Sequence, residues 1–192
     1  MARSMQPGQI IGQPGRGLDD APWAANDSVR RIGQNAEVRT GQELAGIIHR
    51  GPSVLHDLRI PIPGINANID HLVVAGDQVL ILDSKRWAPG LYWTVGGATR
   101  RGWKPFAPAD KKTLPMARDA LVRFLSKRGI RAEVLTPVLV IWSSQKPNLL
   151  FYRPAGNARK VHGEHVAAWV NRHVPRKNAS GDLLVALAEL AN

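Results

Sequence analysis

The chain has no cysteine. Disulfides and cysteine-based zinc sites are therefore excluded, which fits a cytoplasmic protein. No apolar run approaches the ~20 residues of a membrane span, and the opening MARSMQPGQIIGQPGRGLDD holds no apolar core of a secretory signal. No Gly-rich phosphate loop follows a candidate strand, and the regular strand–helix alternation of a doubly wound nucleotide-binding fold is missing. Acidic residues are scarce: 15 Asp and Glu stand against 26 Lys and Arg, for a net charge of +11. A field of that sign favours polyanions, nucleic acid ahead of an anionic membrane surface, although a solvated basic surface gives the same balance.

What is present is an ordinary globular composition. With 44% apolar residues over 192 positions, the chain can bury one sizeable core with small additions. Residues 1–25, rich in Gly, Pro and Gln, read as a mobile arm, 26–153 as the main domain, and 154–192 as a helical extension packed on it. Asn26, Asp27 and Ser28 offer caps for a short helix carrying Val29, Ile32 and Ala36, weakened by Gly33. A firmer helix is expected from Thr40 to about Arg50, stopped by Gly51-Pro52. Strands follow over 54–60 and on both sides of Gly76-Asp77, then an exposed hairpin around Gly96-Gly97. An amphipathic helix spans 110–128 with Leu114, Ala117, Leu121, Phe124 and Leu125 inward, and Pro115 is tolerable in its first turn. Strands over 134–142 and 149–153 precede two closing helices, 163–173 and 181–191, the last capped by Ser180. This order predicts an α/β domain, a mixed sheet flanked by helices.

The stretch NIDHLVVAGDQVLILDSKRW (68–87) carries the chemistry. A turn on Gly76-Asp77 sets Ala75 opposite Gln78, Val74 opposite Val79, and Asp70 opposite Asp83. Leu72, Val74, Ile81 and Lys85 share the face of the two acids, and His71, Val73, Leu80, Leu82 and Ser84 share the other. Both faces are mostly apolar, as in a sheet covered on both sides. Two carboxylates side by side in such a place repel. A shared proton, a cation such as Lys85, or a divalent metal relieves them. Mg²⁺ or Mn²⁺ suits two carboxylates and leaves positions open for water and a phosphate oxygen. The bland alternative is a surface Asp-x-Lys with Asp70 capping a turn. Glu43 has two readings as well: the Glu of a capping box with Thr40, or a third carboxylate brought from the first helix toward the pair. His162 and His165 read as a solvated helix face, and His71, on the opposite face from the acids, as structural.

GQELAG (41–46), the IDH of 69–71, LDSK (82–85) and the KRWAPG that runs on from Lys85 resemble the nuclease-related domain, NERD, a family of the PD-(D/E)xK nuclease superfamily that includes restriction endonucleases and Holliday-junction resolvases. The resemblance spans roughly 28–145. It implies a restriction-endonuclease-like core of helix, three-stranded meander, helix and strand. It also implies a metal-dependent nuclease acting on DNA ahead of RNA, or a silent binding or regulatory module of a larger system. By position, Asp70 and Asp83 would be the metal carboxylates, Lys85 the catalytic lysine and Glu43 the helix-borne acid, a further metal ligand or water holder, with the Ser84 carbonyl another metal contact. The family's Pro-x-x-Gln is replaced here by Pro108 and Lys111, which puts a cation where an amide is usual.

Trp87, Trp93 and Trp103 lie among Lys85, Arg86, Arg100, Arg101 and Lys104. Rings interleaved with cations suit single-stranded or distorted nucleic acid; they also suit a hairpin packed on its domain, the stronger reading for Trp87. The expected nucleic-acid contacts are Arg86, Trp93, Arg100, Arg101, Lys104 and Lys111. No membrane partner is expected, and a homodimer or partner chain would fit a protein of this size.

Overall fold

The computed structural model describes residues 8–16, 27–65, 67–143 and 148–191. Asn26 and most of the expected arm lie outside them. Within the arm, β1 (Ile10–Ile11) runs parallel to the edge of the main sheet, pairing with Val54 and Leu55.

Helix α1 covers Asp27–Ala45 without a break, so the two short helices expected there are one. Thr40 is consequently buried in mid-helix, where its hydroxyl donates to the Ala36 carbonyl at 3.0 Å, and no capping box forms with Glu43. Gly41 serves packing: a Cβ there would sit 2.8 Å from the Pro14 ring.

The strands β2 (Ser53–Arg59), β3 (Asn68–Ala75) and β4 (Gln78–Trp87) form an antiparallel meander. The β3–β4 register is the expected one, with Ala75 opposite Gln78 and Val74 opposite Val79. Gly76 makes the turn at φ +62°, a conformation glycine adopts without penalty. Residues of the C-terminal segment grip this turn: the Gly76 N–H donates to the Asn178 carbonyl and the Ser180 N–H to the Gly76 carbonyl.

From β4 the chain leaves for a hairpin, β5 (Leu91–Val95) and β6 (Ala98–Arg101), extended by β7 (Lys104–Pro105). It returns through α2 (Thr113–Lys127), β8 (Glu133–Val134) and β9 (Val138–Ser143), both strands parallel to β4. Strand β10 (Leu149–Phe151) joins β5 rather than the main sheet. Strand β11 (Arg159–His162) then extends the main sheet beside β9, and α3 (Val166–His173) and α4 (Gly181–Ala188) close the chain. The expected helical extension thus contains a strand, and His162 ends that strand instead of lying on a helix. Ser180 occupies the cap position of α4 without a side-chain cap bond. The architecture is a mixed α/β fold in which the main sheet, ordered β1-β2-β3-β4-β9-β11, separates two helical layers. It is compatible with a restriction-endonuclease-like core.

Each face of the sheet has its own core. Leu72, Val74, Ile81 and Ile141 pack with α2 and α4, while Val73, Leu80, Leu82 and Val140 pack with α1 and α3. The second face also buries a polar chain with a definable direction. Ser84 donates its hydroxyl proton to Thr40 Oγ1 at 2.8 Å. Having spent it, Ser84 Oγ accepts at 3.1 Å from His71 Nε2–H. The neutral His71 ring then accepts at Nδ1 from His56 Nδ1–H, 2.8 Å away. Trp142 Nε1–H also donates to Thr40 Oγ1 at 2.8 Å. One threonine on α1 therefore ties together β4 and β9, and through Ser84 the two histidines. Its isostere tests this. Thr40→Val strands two buried donors and should lower unfolding free energy by about 1–3 kcal/mol; an unchanged urea midpoint would show that the chain holds nothing.

Candidate active site

Asp70 and Asp83 lie one step beyond the last paired residues of the β3–β4 ladder, His71 and Leu82. There β3 and β4 cease to exchange ladder bonds, and the Asp70 carboxylate takes up the freed donor: Ser84 N–H reaches Asp70 Oδ2 at 2.6 Å. Lys85 donates to Asp83 Oδ1 at 2.8 Å and to the Ser84 carbonyl at 3.2 Å, with Asp70 Oδ2 at 4.0 Å. The side chain of Lys85 remains 41% exposed, so its ammonium borders both the acids and solvent. Asp70 and Asp83 face a narrow cleft closed by Thr113, Leu114 and Ala117 at the start of α2. The structure thus brings Asp70, Asp83, Lys85 and the Ser84 carbonyl together.

It does not bring Glu43. That side chain is exposed, and the helix acid at the cluster is Glu37. Six residues apart, the two lie roughly 120° apart around α1. They flank opposite sides of the buried stripe Ala36, Thr40, Leu44 and Ile47, and Glu37 is the one on which the charges of Asp70, Lys85 and Asp83 act. The expectation for Glu43 is not met, because packing of that stripe on the sheet leaves Glu43 on the solvent-exposed flank of α1.

Two further groups escaped the sequence reading. Asp57 on β2 lies across from Asp70, between the pairs His56–His71 and Leu58–Ile69. It is buried, holds φ +53°, and receives Asn68 Nδ2–H on Oδ1 at 2.7 Å, while Oδ2 has no partner among the described residues. A non-glycine residue in that conformation stores about 1–3 kcal/mol of strain, a pattern common near functional sites. Tyr152, fully buried, also leaves its hydroxyl without a partner among the described residues, and burial followed by the nearby Asp83 charge pushes its pKa up. The one available signal for Asp57 was a carboxylate set between Leu55 and Leu58 in a strand expected to be buried.

The electrostatics follow from crowding. Burial, with repulsion from Asp83 and Asp57, pushes the Asp70 carboxyl up to about 7 against the pull of Lys85 and the Ser84 N–H. Burial first, then Asp70, raises Glu37 to about 9. Burial alone would lower Lys85, but Asp83, Asp70 and Glu37 outweigh it and its pKa rises. Behind the strand the histidines are neutral: burial drops His56 to about 4, and burial, His56 and Lys85 hold His71 well below its ordinary value. The donor set of hard oxygens with surplus negative charge fits a divalent cation held by Asp70, Asp83 and the Ser84 carbonyl. Among the described residues, no group of three His, Asp or Glu side chains is close enough to enclose one by itself.

The other expected contacts are spread more widely. Trp87 is buried against Tyr92, Phe106 and Tyr152, as its packing reading had it. Arg86 is half-buried and alternates with Lys85, on the α1 face. Trp93, Arg100, Arg101 and Lys104 sit on the small sheet, and Lys111 is exposed just before α2. His162 and His165 place their rings 6.5 Å apart, edge to face, away from any acid cluster among the described residues. No helix among the described residues is long and apolar enough to cross a membrane.

An acid with a raised folded-state pKa binds its proton more tightly when native, so stability falls as pH climbs from the unfolded to the folded value. For Asp70 that window runs from 3.8 to about 7. In EDTA, Asp70→Asn should therefore be more stable than wild type at pH 8, with the gain vanishing near pH 4; a gain equal at both pH values in urea titrations would contradict the crowding.

Searches of curated proteins and of solved structures each gave no match. The family model of the nuclease-related domain, NERD, matches residues 32–141. That span takes in most of α1, the meander with its three acids and lysine, α2 and most of β9, and the chain belongs to the NERD family of nuclease-related domains.

Proposed function

We propose that the chain is a metal-dependent nuclease of PD-(D/E)xK type that hydrolyses phosphodiester bonds, in DNA ahead of RNA. The observation that carries this is the Lys85 ammonium bonded to Asp83 at 2.8 Å and 4.0 Å from Asp70, its side chain partly exposed and Glu37 near enough for the charges to influence one another, in a domain of a nuclease-related family. Asp70, Asp83 and the Ser84 carbonyl would hold Mg²⁺ or Mn²⁺. When bound, such an ion acidifies water and offsets charge developing on the phosphate. Lys85, beside both acids and open to solvent, orients the attacking water and faces the phosphate oxygens. Glu37 takes the part expected of Glu43: with its raised pKa it can hold a proton at neutral pH and donate a hydrogen bond within the site. Arg100, Arg101, Lys104 and Lys111 lie where they can meet phosphates, and Trp93 where it can meet a base. Arg86, on the opposite face of β4, is the weakest of the proposed contacts.

The alternative is a nucleic-acid-binding or regulatory module that does not turn over, acting alone or with a partner chain. It is favoured by the lack, among the described residues, of three carboxylates or histidines close enough to enclose an ion. Cleavage of supercoiled plasmid and of a labelled single strand, in Mg²⁺, Mn²⁺ or EDTA, separates the two. Wild type should cut only with metal, and Asp70→Asn should not cut. Lys85→Ala should lose about 100-fold or more in rate while still binding DNA. Metal-dependent cutting that survives both substitutions would place the chemistry elsewhere. A second comparison isolates the helix acid. Glu37→Gln should slow cleavage at least tenfold and Glu43→Gln should leave it unchanged; the reverse result would restore Glu43.

A further inference from the structure

The small sheet, ordered β10-β5-β6-β7, turns one face inward and exposes apolar side chains on the other. Tyr92 and Thr99 are buried on the inner face. The outer face is apolar where a soluble surface is usually polar. Phe151 stands beside Trp93, and Trp93 beside Arg100, in one cross-strand row. Leu149 is 58% exposed, Phe151 72% and Trp103 86%. A contiguous apolar surface of this kind marks a place where something docks.

The rings are also held in position. Trp93 Nε1–H donates to the Gly102 carbonyl at 2.7 Å, and Arg100 Nη1–H to the Trp103 carbonyl at 2.9 Å. These bonds fix the turn that presents Trp103, whose ring meets that of Trp93 edge to face with centroids 6.0 Å apart. The platform therefore exists before any ligand arrives, which lowers the ordering cost of binding.

Charge decides what docks. Residues 84–109 and 134–163 contain no Asp or Glu, while Arg100, Arg101, Lys104 and Arg153 lie on or beside the sheet. The Asp110 carboxylate does reach the sheet, but it accepts from the Thr99 N–H and hydroxyl on the inner face. Exposed rings set among cations on the outer face suit a polyanion that offers flat faces. Unpaired bases do so; a duplex keeps its base faces stacked inside. The platform also adjoins the acid cleft. Strand β4, bearing Asp83 and Lys85, runs through residues 88–90 into β5, and Tyr152, the residue after Phe151, turns inward toward the Asp83 charge.

We propose that the outer face of the small sheet is a stacking platform for unpaired nucleic acid, with bases laid on Trp103, Phe151 and Trp93 and phosphates met by Arg100 and Lys104. A strand held there would be led toward Asp70, Asp83 and Lys85. This rests on the nuclease reading and narrows it to single-stranded or flared substrates.

The test is binding in EDTA, where cleavage plays no part. Fluorescence anisotropy would compare a labelled oligothymidylate of roughly 20 nucleotides, a span set by typical single-strand site sizes, with a duplex of equal length. The full chain should prefer the single strand. The doubly substituted Trp103→Ala, Phe151→Ala protein should lose about 10- to 100-fold in single-strand affinity, as expected for lost base–ring stacking, with duplex binding little changed. Trp103→Tyr with Phe151 intact should keep most of the affinity. Both rings are exposed, so circular dichroism should show an intact fold. Three results would overturn the proposal: unchanged single-strand binding in the double variant, equal losses on both nucleic acids, or a self-associated species in sedimentation that the double substitution dissolves, which would give the face to a second copy of the chain. Failure of the nuclease reading is separable, since wild type that prefers single strands yet never cuts would leave the platform standing.

Discussion

The antiparallel register of β3 and β4 is the constraint on which the candidate site depends. It is set by a two-residue turn at Gly76 and Asp77 and held from outside by the backbone of residues 178–180. With this register, Asp70, Asp83 and Lys85 share one face. A slip by one residue would send one acid to the opposite face and separate it from its partner. The strands stop exchanging ladder bonds where the acids begin, so Asp70 can accept the Ser84 N–H and leave the Ser84 carbonyl to Lys85. The charge cluster thus occupies a gap that the sheet itself opens.

Such a cluster needs a firm support. On the far side of the same strand, His56, His71, Ser84 and Thr40 form a chain in which each donor has an acceptor, and burial keeps both histidines uncharged. Asp70, Asp83 and Lys85 lie in front of β4, and the neutral chain of His56, His71, Ser84 and Thr40 lies behind it. A protonated His71 would stand close to Lys85 in a buried setting, at high cost. Neutrality behind the strand is therefore part of what allows an ammonium in front of it. The same strand then leads into the small sheet, so one element links the reactive groups to the bare aromatic face.

The meander, its register and the two faces of its hairpin were legible in the sequence because local patterns specify them: alternating apolar residues, a Gly-Asp turn, and acids at matching distances from it. The structural place of His71 followed from the same alternation. The helix acid was not legible. Glu37 and Glu43 border the same buried stripe from opposite sides, and composition gives no preference between them. The reading also divided the segment into a short helix weakened by Gly33 and a firmer one from Thr40, whereas packing of α1 on the sheet overrides that weak propensity. Asp57 and Tyr152 were missed because their proximity to the acids comes from β2 lying beside β3 and from the return of the chain after β9. The second sheet was missed for a related reason: β10 pairs with β5, far away in sequence.

By itself, the sequence determined the α/β class, the positive field, the family, and the facing of Asp70, Asp83 and Lys85, all of which rest on composition or on neighbours within one hairpin. The tertiary structure alone decided that Glu37 rather than Glu43 meets the acids, that Asp57 and Tyr152 border them, and that Trp103, Phe151 and Leu149 share an uncovered face. Those placements depend on contacts between elements distant in the chain, where the packing of one surface on another selects among arrangements that local periodicity leaves equal.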